Sequence, residues 1–319
     1  MFGERLCIQA CCLIKFTIVE TMDKKIFSLG CAILCSFIWG TGFIAQDMGM
    51  DYIGPFTFSA GRLFLGFIAL LPVFLIFELK KVKKTSLNFK KIITYFVFIS
   101  FLLSYGNSMQ QLALLRTDVA NTAIYTILYV VIVPFISYFL FSKQTHWSVW
   151  PSVLICITGG LLLTEVDNVV VRTGDGIAVF NAFFWAFHIV FISRFLRIFN
   201  FPITIAAFQC LIGGIFALIP ALAFENISFL NLGLEWKELV YAGVLSSGVA
   251  FLLQIYAQQN LSPAPVAIIF TMEGVWAAIF GWVILEQYLN EIKIFGILLI
   301  LIAVIFSQLA SIYDKKKYG

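Results

Sequence analysis

Ten stretches of the chain are apolar for about twenty residues each, and this feature constrains the fold more than any other. An α-helix needs about 20 mostly apolar residues to cross a bilayer, and it satisfies its own backbone hydrogen bonds in lipid. The runs are continuous and lack the alternation of a β-barrel. The sequence therefore predicts an all-α integral membrane protein with ten transmembrane helices. The predicted spans are 26–46, 55–77, 92–113, 119–141, 147–165, 176–196, 201–223, 238–258, 263–285 and 292–312.

The composition argues against a soluble protein. Of the 319 residues, 61% are hydrophobic and 12% are charged, whereas about a quarter of an average soluble domain is charged. The net charge of +4 is small, so no nucleic-acid partner is expected. The seven cysteines show no spacing typical of disulfides or of a metal site, and no cofactor is expected.

The sequence also lacks the usual signatures of catalysis. It contains no HExxH motif, no P-loop and no pair of intramembrane aspartates, and no soluble nucleotide-binding domain fits between two spans. We therefore expect neither an enzyme nor an ATP-driven pump.

The basic residues predict the orientation of the helices. With a cytoplasmic N-terminus, sixteen Lys and Arg residues fall on the cytoplasmic side and four on the outer side. Cytoplasmic connections of membrane proteins carry such an excess of positive charge. The sequence thus predicts a multi-pass protein of the cell (inner) membrane with both termini in the cytoplasm.

The first 21 residues fit this plan poorly. They are interrupted by Arg5, Lys15 and Glu20, and no convincing small-residue cleavage site precedes Met22. We interpret residues 1–21 as an N-terminal tail and Met22 as the expected start of the protein.

The two halves of the chain resemble each other. "FIWGTGFIAQ" (37–46) resembles "FFWAFHIVFI" (183–192), and "GPFTFSAGRLFLGFIALLP" (54–72) resembles "FPITIAAFQCLIGGIFALIP" (201–220). Because each half holds five spans, an odd number, the second half enters the membrane from the opposite side, as in many secondary transporters. The expected units are 22–165 and 166–312, followed by a cytoplasmic tail, 313–319. The matched pairs, 146 or 147 positions apart, are Trp39 and Trp185, Pro55 and Pro202, Gly66 and Gly213, and Arg62 and Gln209.

Four segments resemble the EamA family of the drug/metabolite transporter superfamily. They are "WGTGFIAQ", "GPFTFSAGRLFLG", "TDVANTAIYTILYVVIVP" and "LSPAPVAIIFTMEGVWAAIFGWVILEQ". The resemblance implies two inverted five-helix repeats and a central cavity lined mainly by the first, third, fourth, sixth, eighth and ninth helices. It also implies transport of small metabolites, often amino acids.

The chain departs from the family pattern at two places. Many members have Glu-Pro where this chain has Glu273-Gly274, so a proline kink is replaced by glycine. Many members also carry Glu near the end of the fourth helix, where this chain reads Ser142-Lys143-Gln144, while the ninth helix keeps Glu286. A mechanism that needs a symmetric acidic pair at those ends is therefore in doubt.

Glu273 is the main candidate for a functional residue. It lies about ten residues, or roughly 15 Å, into an otherwise apolar helix, close to the middle of the membrane. A charged side chain there is costly and usually faces a protein interior or water. Two interpretations remain open: a carboxylate that handles a proton, a cation or a substrate amine, or a structural hydrogen bond between helices.

Arg62, about seven residues into the second span, also has two interpretations. It is either an anion anchor for a substrate carboxylate or an arginine that snorkels to the interface or pairs with a neighbouring helix. The resemblance favours the second interpretation, because it places the second helix away from the cavity. An ion pair with Glu273 is a further alternative.

Neutral polar and aromatic residues complete the candidate set. The neutral polar residues can supply hydrogen bonds for a polar solute. Asn107 and Gln111 lie on one helix face because they are spaced i, i+4. His188 is a candidate proton relay or a satisfied interhelical histidine, and the two tryptophans either stack on the solute or pack beneath the cavity. The candidates are Trp39, Asn107, Gln111, Trp185, His188 and Gln254.

These observations predict a secondary transporter that moves a small metabolite by alternating access. The expected partners are the small-molecule substrate, membrane lipid and a coupling proton or cation, and the protein is a monomer or a homodimer. The alternatives are a non-transporting membrane scaffold or receptor, and a lipid-carrier flippase of the same fold.

The predicted topology can be tested with a reporter fusion. A reporter fused after Lys315 should be active in the cytoplasm, because the excess of Lys and Arg holds both termini on that side. The same reporter placed in the connection near Arg172 serves as the matched outer control. Periplasmic activity of the Lys315 fusion would refute ten spans with cytoplasmic ends.

Overall fold

The computed structural model describes residues 2–85, 88–117, 119–142, 144–163, 172–285 and 290–318. Within these ranges the side chains of 2–22, 120, 285 and 310–318 are not described. The described residues form helices joined by short connections and contain no strand.

The helices follow the order of the predicted spans. Short helices Leu79–Lys84 and Phe229–Leu234 lie in the connections after the second and seventh spans. The first to fifth spans are Phe2–Met48, Pro55–Phe77, Phe89–Leu114, Val119–Thr126 with Tyr129–Phe141, and Val149–Leu163. The sixth to tenth are Thr173–Leu196, Pro202–Phe224, Trp236–Val240 with Tyr241–Val249 and Ala250–Asn260, Pro263–Phe270 with Met272–Leu285, and Glu291–Tyr318.

Nine of these helical spans in the described ranges are long and apolar enough to cross a membrane. In the first span the membrane-length part is Asp23–Met48, and the helix continues N-terminally to Phe2. The fifth span, Val149–Leu163, is a shorter apolar helix followed by residues outside the described ranges, which include the predicted boundary at 165. The predicted all-α membrane fold with ten helices in two inverted repeats is confirmed.

Three spans are interrupted near their middle. The fourth span breaks between Thr126 and Tyr129, and the ninth breaks at Thr271. The eighth span contains a π-helical segment, Tyr241–Val249. Irregular backbone at membrane depth is tolerated only where it is buried in protein or lines a cavity. The interruptions therefore indicate where polar groups meet inside the bundle.

The second and seventh spans, equivalent helices of the two repeats, cap each other at opposite ends of the bundle. The Glu225 carboxylate accepts hydrogen bonds from the backbone N–H groups of Phe56 and Thr57, at 2.8 and 2.7 Å, and from the Thr57 hydroxyl at 2.6 Å. Glu225 follows the seventh span, and Thr57 lies in the first turn of the second.

The inverse arrangement occurs at the other end. The Glu78 carboxylate accepts from the backbone N–H groups of Ile203 and Thr204, at 3.2 and 2.7 Å, and from the Thr204 hydroxyl at 2.6 Å. Glu78 and Glu225 are 147 positions apart, as are Thr57 and Thr204. The first turn of a helix has unpaired N–H donors and positive partial charge, so each carboxylate stabilises the helix that it caps.

The fifth and tenth spans make the corresponding close contact at the side of the bundle. A Cβ on Gly159 would lie 2.7 Å from the Gly296 carbonyl oxygen, and a Cβ on Gly296 would lie 2.6 Å from the Gly159 carbonyl oxygen. Only glycine permits both backbones to approach this closely. The two final helices of the repeats are thus held together at small residues.

The outer surface of the bundle is apolar. Large hydrophobic side chains are exposed along the spans, among them Phe77, Phe139 and Phe224. A soluble monomer rarely exposes contiguous apolar patches of this extent. Membrane lipid therefore covers the outside, and polar groups are confined to the interior and to the two ends.

The paired caps predict a matched loss of stability. Glu225→Ala and Glu78→Ala should each lower the free energy of unfolding by about 1–3 kcal/mol, because N–H groups in the first turn of a helix lose a charged acceptor. The Gln variants, which keep one oxygen acceptor, should lie between Ala and wild type. Thermal unfolding in detergent measures the effect, with the exposed Asp23→Ala as control. Equal midpoints for Glu225→Ala and Asp23→Ala would contradict a stabilising cap.

Candidate functional site

A small cavity of about 30 Å³ lies at the centre of the bundle. Its wall includes the first, third, fourth, sixth, eighth and ninth spans, as the family resemblance implies, and also the second span through Arg62. Its polar lining is Gln46, Arg62, Asn107, Gln110, Thr126, Tyr129, Ser246 and Glu273, and its apolar lining is Trp39, Phe43, Trp185, Ile189 and Phe251.

The Arg62 guanidinium lies inside the protein and faces this cavity. The residue is 2% exposed, so the side chain does not reach the membrane interface. Nη1 donates to Gln46 Oε1 at 2.7 Å, Nη2 to Ser246 Oγ at 2.8 Å, and Nε to Ser247 Oγ at 2.9 Å. These acceptors are all neutral, and no described carboxylate is among them. The snorkelling interpretation of Arg62 was therefore wrong, whereas its alternative, pairing with a neighbouring helix, is observed with the eighth span.

The π-helical segment of the eighth span places both serines against Arg62. Ser246 and Ser247 are consecutive, and adjacent residues of a regular α-helix point about 100° apart. In the segment Tyr241–Val249 the backbone follows the wider π-helical path, and both hydroxyls accept from the same guanidinium. The Ser246 carbonyl oxygen also accepts from Trp39 Nε1 at 3.2 Å. Such segments occur often at functional sites.

Glu273 and Tyr129 meet at the two helix breaks. The Tyr129 hydroxyl donates to Glu273 Oε1 at 3.1 Å, and the residues are 2% and 4% exposed. Tyr129 is the first residue after the break in the fourth span, and Glu273 is in the first turn after the break at Thr271. The N-terminal end of a helix segment favours a carboxylate. The Glu273 carboxyl thus has one protein hydrogen bond and a side that lines the cavity.

Gly40 allows the first span to contact the ninth at the level of Glu273. A Cβ on Gly40 would overlap the Trp276 Cβ and lie 2.7 Å from the Glu273 carbonyl oxygen. A larger residue would push the ninth span outward and move Glu273. Gly40, the first of the two glycines in "FIWGTGFIAQ", therefore has a packing role at the site.

Aromatic side chains close one side of the cavity. The Trp39 ring lies 5.2 Å from Phe270, 5.6 Å from Phe251 and 6.2 Å from Trp185, between centroids. The Trp185 ring lies 6.1 Å from Phe251. Trp185 Nε1 is buried and has no hydrogen-bond partner. We call Trp39, Trp185, Phe251 and Phe270 the aromatic wall.

Five of the eight candidate residues from the sequence line the cavity. These are Trp39, Arg62, Asn107, Trp185 and Glu273. The Arg62–Glu273 ion pair is not formed, since Glu273 bonds to Tyr129 and Arg62 to neutral groups.

The other three candidates, Gln111, His188 and Gln254, are fully buried outside the lining. Gln111 makes a long contact of 3.4 Å from Nε2 to the Gln46 carbonyl oxygen, and both side-chain polar atoms of Gln254 are unpartnered. His188 Nε2 lies 3.0 Å from Gln209 Oε1.

The candidate set from the sequence omitted six polar groups of the site: Gln46, Gln110, Thr126, Tyr129, Ser246 and Ser247. Gln46 ends the segment "FIWGTGFIAQ", and the two serines interrupt an apolar run, so each was visible as a polar residue inside a span. Their common partner, Arg62, is distant in sequence from the serines. That pairing depends on helix packing.

The acidic pair and the metal site are two further points that the sequence raised. Lys143 and Glu286, which bear on the acidic pair at the ends of the fourth and ninth helices, lie outside the described residues. Among the described residues no group of three or more His, Cys, Asp and Glu side chains is arranged to hold a metal ion.

Ten apolar helices in two inverted repeats around a buried polar cavity define a membrane protein of the transporter class. The model of the EamA-like transporter family matches this chain twice, over residues 26–165 and 172–309. The chain belongs to the EamA-like transporter family.

Individual relatives agree with this assignment. An uncharacterized transporter of Archaeoglobus fulgidus is 27% identical over 91% of this chain and 88% of its own length. The uncharacterized transporter YoaV of Bacillus subtilis is 24% identical over 83% of this chain and 91% of its own. A solved crystal structure covers 89% of this chain and 98% of its own, with a TM-score of 0.72 and 18% identity, which shows a shared fold.

The close approach at Gly40 predicts a large difference between two glycines of one helix. Gly40→Ala should destabilise the protein by roughly 1–3 kcal/mol, because the new Cβ overlaps the ninth span. Gly30→Ala is the matched control, since a Cβ on Gly30 has no atom within 4 Å. Alanine there should be neutral or slightly stabilising. Thermal unfolding in detergent compares the two variants. Equal midpoints would show that the ninth span can shift to accommodate the new Cβ without loss of stability.

Proposed function

We propose that the protein is a secondary transporter that carries a small metabolite of the amino acid type by alternating access. It acts in the cell membrane with both chain ends in the cytoplasm. Family membership supports a membrane transporter. The charge distribution of the sequence supports the orientation.

The observation that carries the substrate class is the buried Arg62. Its guanidinium is 2% exposed and bonded only to neutral acceptors among the described residues, in a cavity that also exposes the Glu273 carboxyl. An isolated buried cation is costly, and a carboxylate that binds beside it recovers much of this cost. Arginine binds carboxylates through charge-assisted hydrogen bonds. The cavity is thus suited to a ligand that brings its own negative group.

The levels at which Arg62 and Glu273 meet the first span agree with a ligand that carries both charges. Arg62 contacts Gln46, and the Glu273 backbone faces Gly40 on the same first span. Gln46 lies six positions after Gly40 in the helix, which corresponds to a rise of roughly 9 Å. A carboxylate with a nearby ammonium group, plus one hydrogen bond at each end, spans a comparable distance. Glu273 would receive the ammonium group.

The aromatic wall suits the remainder of such a ligand. Trp39 and Trp185 present ring surfaces to the same cavity as Arg62 and Glu273. Indole rings attract cations and cover apolar groups. An amino acid with an apolar or aromatic side chain therefore agrees with this lining better than a sugar, which needs many fixed hydrogen bonds.

The fold also supports alternating access. Inverted repeats let the two halves exchange conformations, so that an outward-open cavity becomes inward-open. The breaks in the fourth and ninth spans, beside Tyr129 and Glu273, allow the segments on each side to tilt separately. The energy would come from a solute or ion gradient.

Transport by purified protein in liposomes tests the proposal. Proteoliposomes should accumulate one or more radiolabelled L-amino acids above the level of empty liposomes. Arg62→Gln, which keeps hydrogen-bond donors and removes the charge, should raise KM by roughly tenfold or more, as expected for loss of a charge-assisted hydrogen bond worth about 1.5–3 kcal/mol. The lipid-facing Phe224→Leu is the control. Absence of flux for every amino acid would reject this substrate class.

Glu273 should couple transport to protons. In Glu273→Gln the side chain keeps its shape and its hydrogen bond to Tyr129 but no longer titrates. We expect normal folding, loss of pH-driven accumulation and retained exchange of labelled for unlabelled solute. Glu273→Leu should reduce folded yield, since the Tyr129 hydroxyl is left buried without its partner. Unchanged flux and pH dependence in Glu273→Gln would reject proton coupling by Glu273 and leave it only the role of an interhelical hydrogen bond.

A further inference from the structure

A second polar cluster lies in the opposite half of the bundle, at the position that repeat symmetry assigns to the Arg62 site. Arg62 and Gly66 on the second span correspond to Gln209 and Gly213 on the seventh, each pair 147 positions apart. Ser247 on the eighth span corresponds to Ser100 on the third, again 147 positions apart. We call Gln209, Ser100 and His188 the Gln209 cluster.

The packing of the two sites agrees with this correspondence. A Cβ on Gly66 would lie 3.0 Å from the Ser247 Cβ, and Arg62 lies one helical turn before Gly66. A Cβ on Gly213 would lie 3.3 Å from the Ser100 carbonyl oxygen, and Gln209 lies one turn before Gly213. In both halves the glycine therefore lies against the equivalent serine of the equivalent helix, at the side-chain Cβ of Ser247 and at the carbonyl oxygen of Ser100.

The polar atoms of the Gln209 cluster are only partly satisfied. Gln209, Ser100 and His188 are each 0% exposed. Gln209 Oε1 is within 3.0 Å of His188 Nε2, but Gln209 Nε2, Ser100 Oγ and His188 Nδ1 have no hydrogen-bond partner. Unpaired donors inside a membrane protein are costly. Gln209 Nε2 and Ser100 Oγ are two such donors, whereas His188 Nδ1 is an acceptor, because His188 Nε2 donates its proton to Gln209 Oε1. The two unpaired donors agree with a group that binds them during the transport cycle.

The cluster lies directly behind the aromatic wall. The His188 ring is 5.8 Å from Trp185 and 6.2 Å from Phe251, between centroids, and both aromatic residues line the central cavity. At the end of the bundle near Glu78, Gln258 Nε2 donates to the Ile189 carbonyl oxygen at 2.6 Å and to Ser193 Oγ at 2.9 Å. Gln258 therefore links the eighth span to the sixth between the cluster and that end.

We propose that the Gln209 cluster is a second binding site for the carboxylate of the transported solute, occupied when the Glu78 end of the bundle opens. The proposal rests on the proposed transport function. Gln209 Nε2 and Ser100 Oγ are the donors, at the positions equivalent to Arg62 and Ser247.

The two sites differ in charge, and this difference gives the cluster its role. Arg62 binds a carboxylate through charge-assisted hydrogen bonds, which are roughly twice as strong as those from a neutral amide. At the equivalent position, Gln209 offers a neutral amide. The carboxylate therefore leaves the Gln209 cluster more readily than the Arg62 site. The solute is bound more weakly when the Glu78 end of the bundle is open.

Thiol labelling tests the access of each site. Ser100→Cys and Ser247→Cys are closely isosteric changes at equivalent positions, and a charged, membrane-impermeant methanethiosulfonate is applied from either face of proteoliposomes. We expect Ser100→Cys to react only from the face at the Glu78 end and Ser247→Cys only from the opposite face. Wild type measures the background of the native buried cysteines Cys31, Cys35, Cys156 and Cys210.

Ala207→Cys is the matched control. Ala207 is also 0% exposed, lies in an apolar cluster and is two residues from Gln209, about 200° around the helix. It should stay unlabelled. Labelling of Ser100→Cys and Ala207→Cys at equal rates, no labelling of Ser100→Cys, or its labelling from the Ser247 face would each overturn the proposal.

Protection by solute tests the ligand. An L-amino acid that the wild type carries, supplied at roughly ten times its Kd, should slow labelling of Ser100→Cys roughly tenfold by mass action. Unchanged labelling by a carried amino acid would reject a solute site in the cluster. If wild-type liposomes carry no amino acid, the proposed function and the carboxylate assignment fail together. In that case, sided labelling of Ser100→Cys still reports independently on access to the cluster.

Discussion

The exchange of carboxylate caps between the second and seventh spans joins the two repeats. Glu225 caps the helix that begins at Pro55, and Glu78 caps the helix that begins at Pro202. Each cap pairs a full negative charge with backbone N–H donors and a threonine hydroxyl, a combination stronger than neutral hydrogen bonds. Because the caps lie at opposite ends, they fix this helix pair along its length. In the proposed alternating-access cycle, the other helices would move against this fixed pair.

The polar interior depends on helices that are not regular. A continuous α-helix satisfies its backbone and presents few polar groups inside a membrane. Here the breaks beside Tyr129 and Glu273 bring two helix starts together, and the π-helical segment turns Ser246 and Ser247 toward Arg62. The irregular segments and the unusual side chains therefore occur together. The bundle tolerates a buried cation and a buried carboxyl because these segments provide their hydrogen bonds.

The repeats are symmetric in backbone and asymmetric in charge. Gly66 and Gly213 make equivalent helix contacts, whereas Arg62 corresponds to the neutral Gln209. Backbone symmetry permits two conformations of similar energy, as alternating access requires. In the proposed transport cycle, this difference in charge would distinguish the two ends of the solute path.

The sequence by itself determined the class of the protein. Ten long apolar runs require helices in lipid, the odd number of spans in each half requires inversion, and a mid-membrane Glu273 requires a polar interior. The segment resemblances were also enough to place the chain in its family. These features depend on length, period and order along the chain, which are local properties.

Only the tertiary structure decided which polar groups meet. The spans are apolar on most of their circumference, so the sequence contains little information about which side of each helix faces inward. The sequence left Arg62 open between an anion anchor, an arginine that snorkels to the interface and one that pairs with a neighbouring helix. In the structure it lies buried against Ser246 and Ser247, more than 180 positions away. His188 and Gln254, both visible in the sequence, lie outside the cavity lining. The direction in which these side chains point around the helix axis is set by packing between spans. A local sequence pattern does not determine that packing.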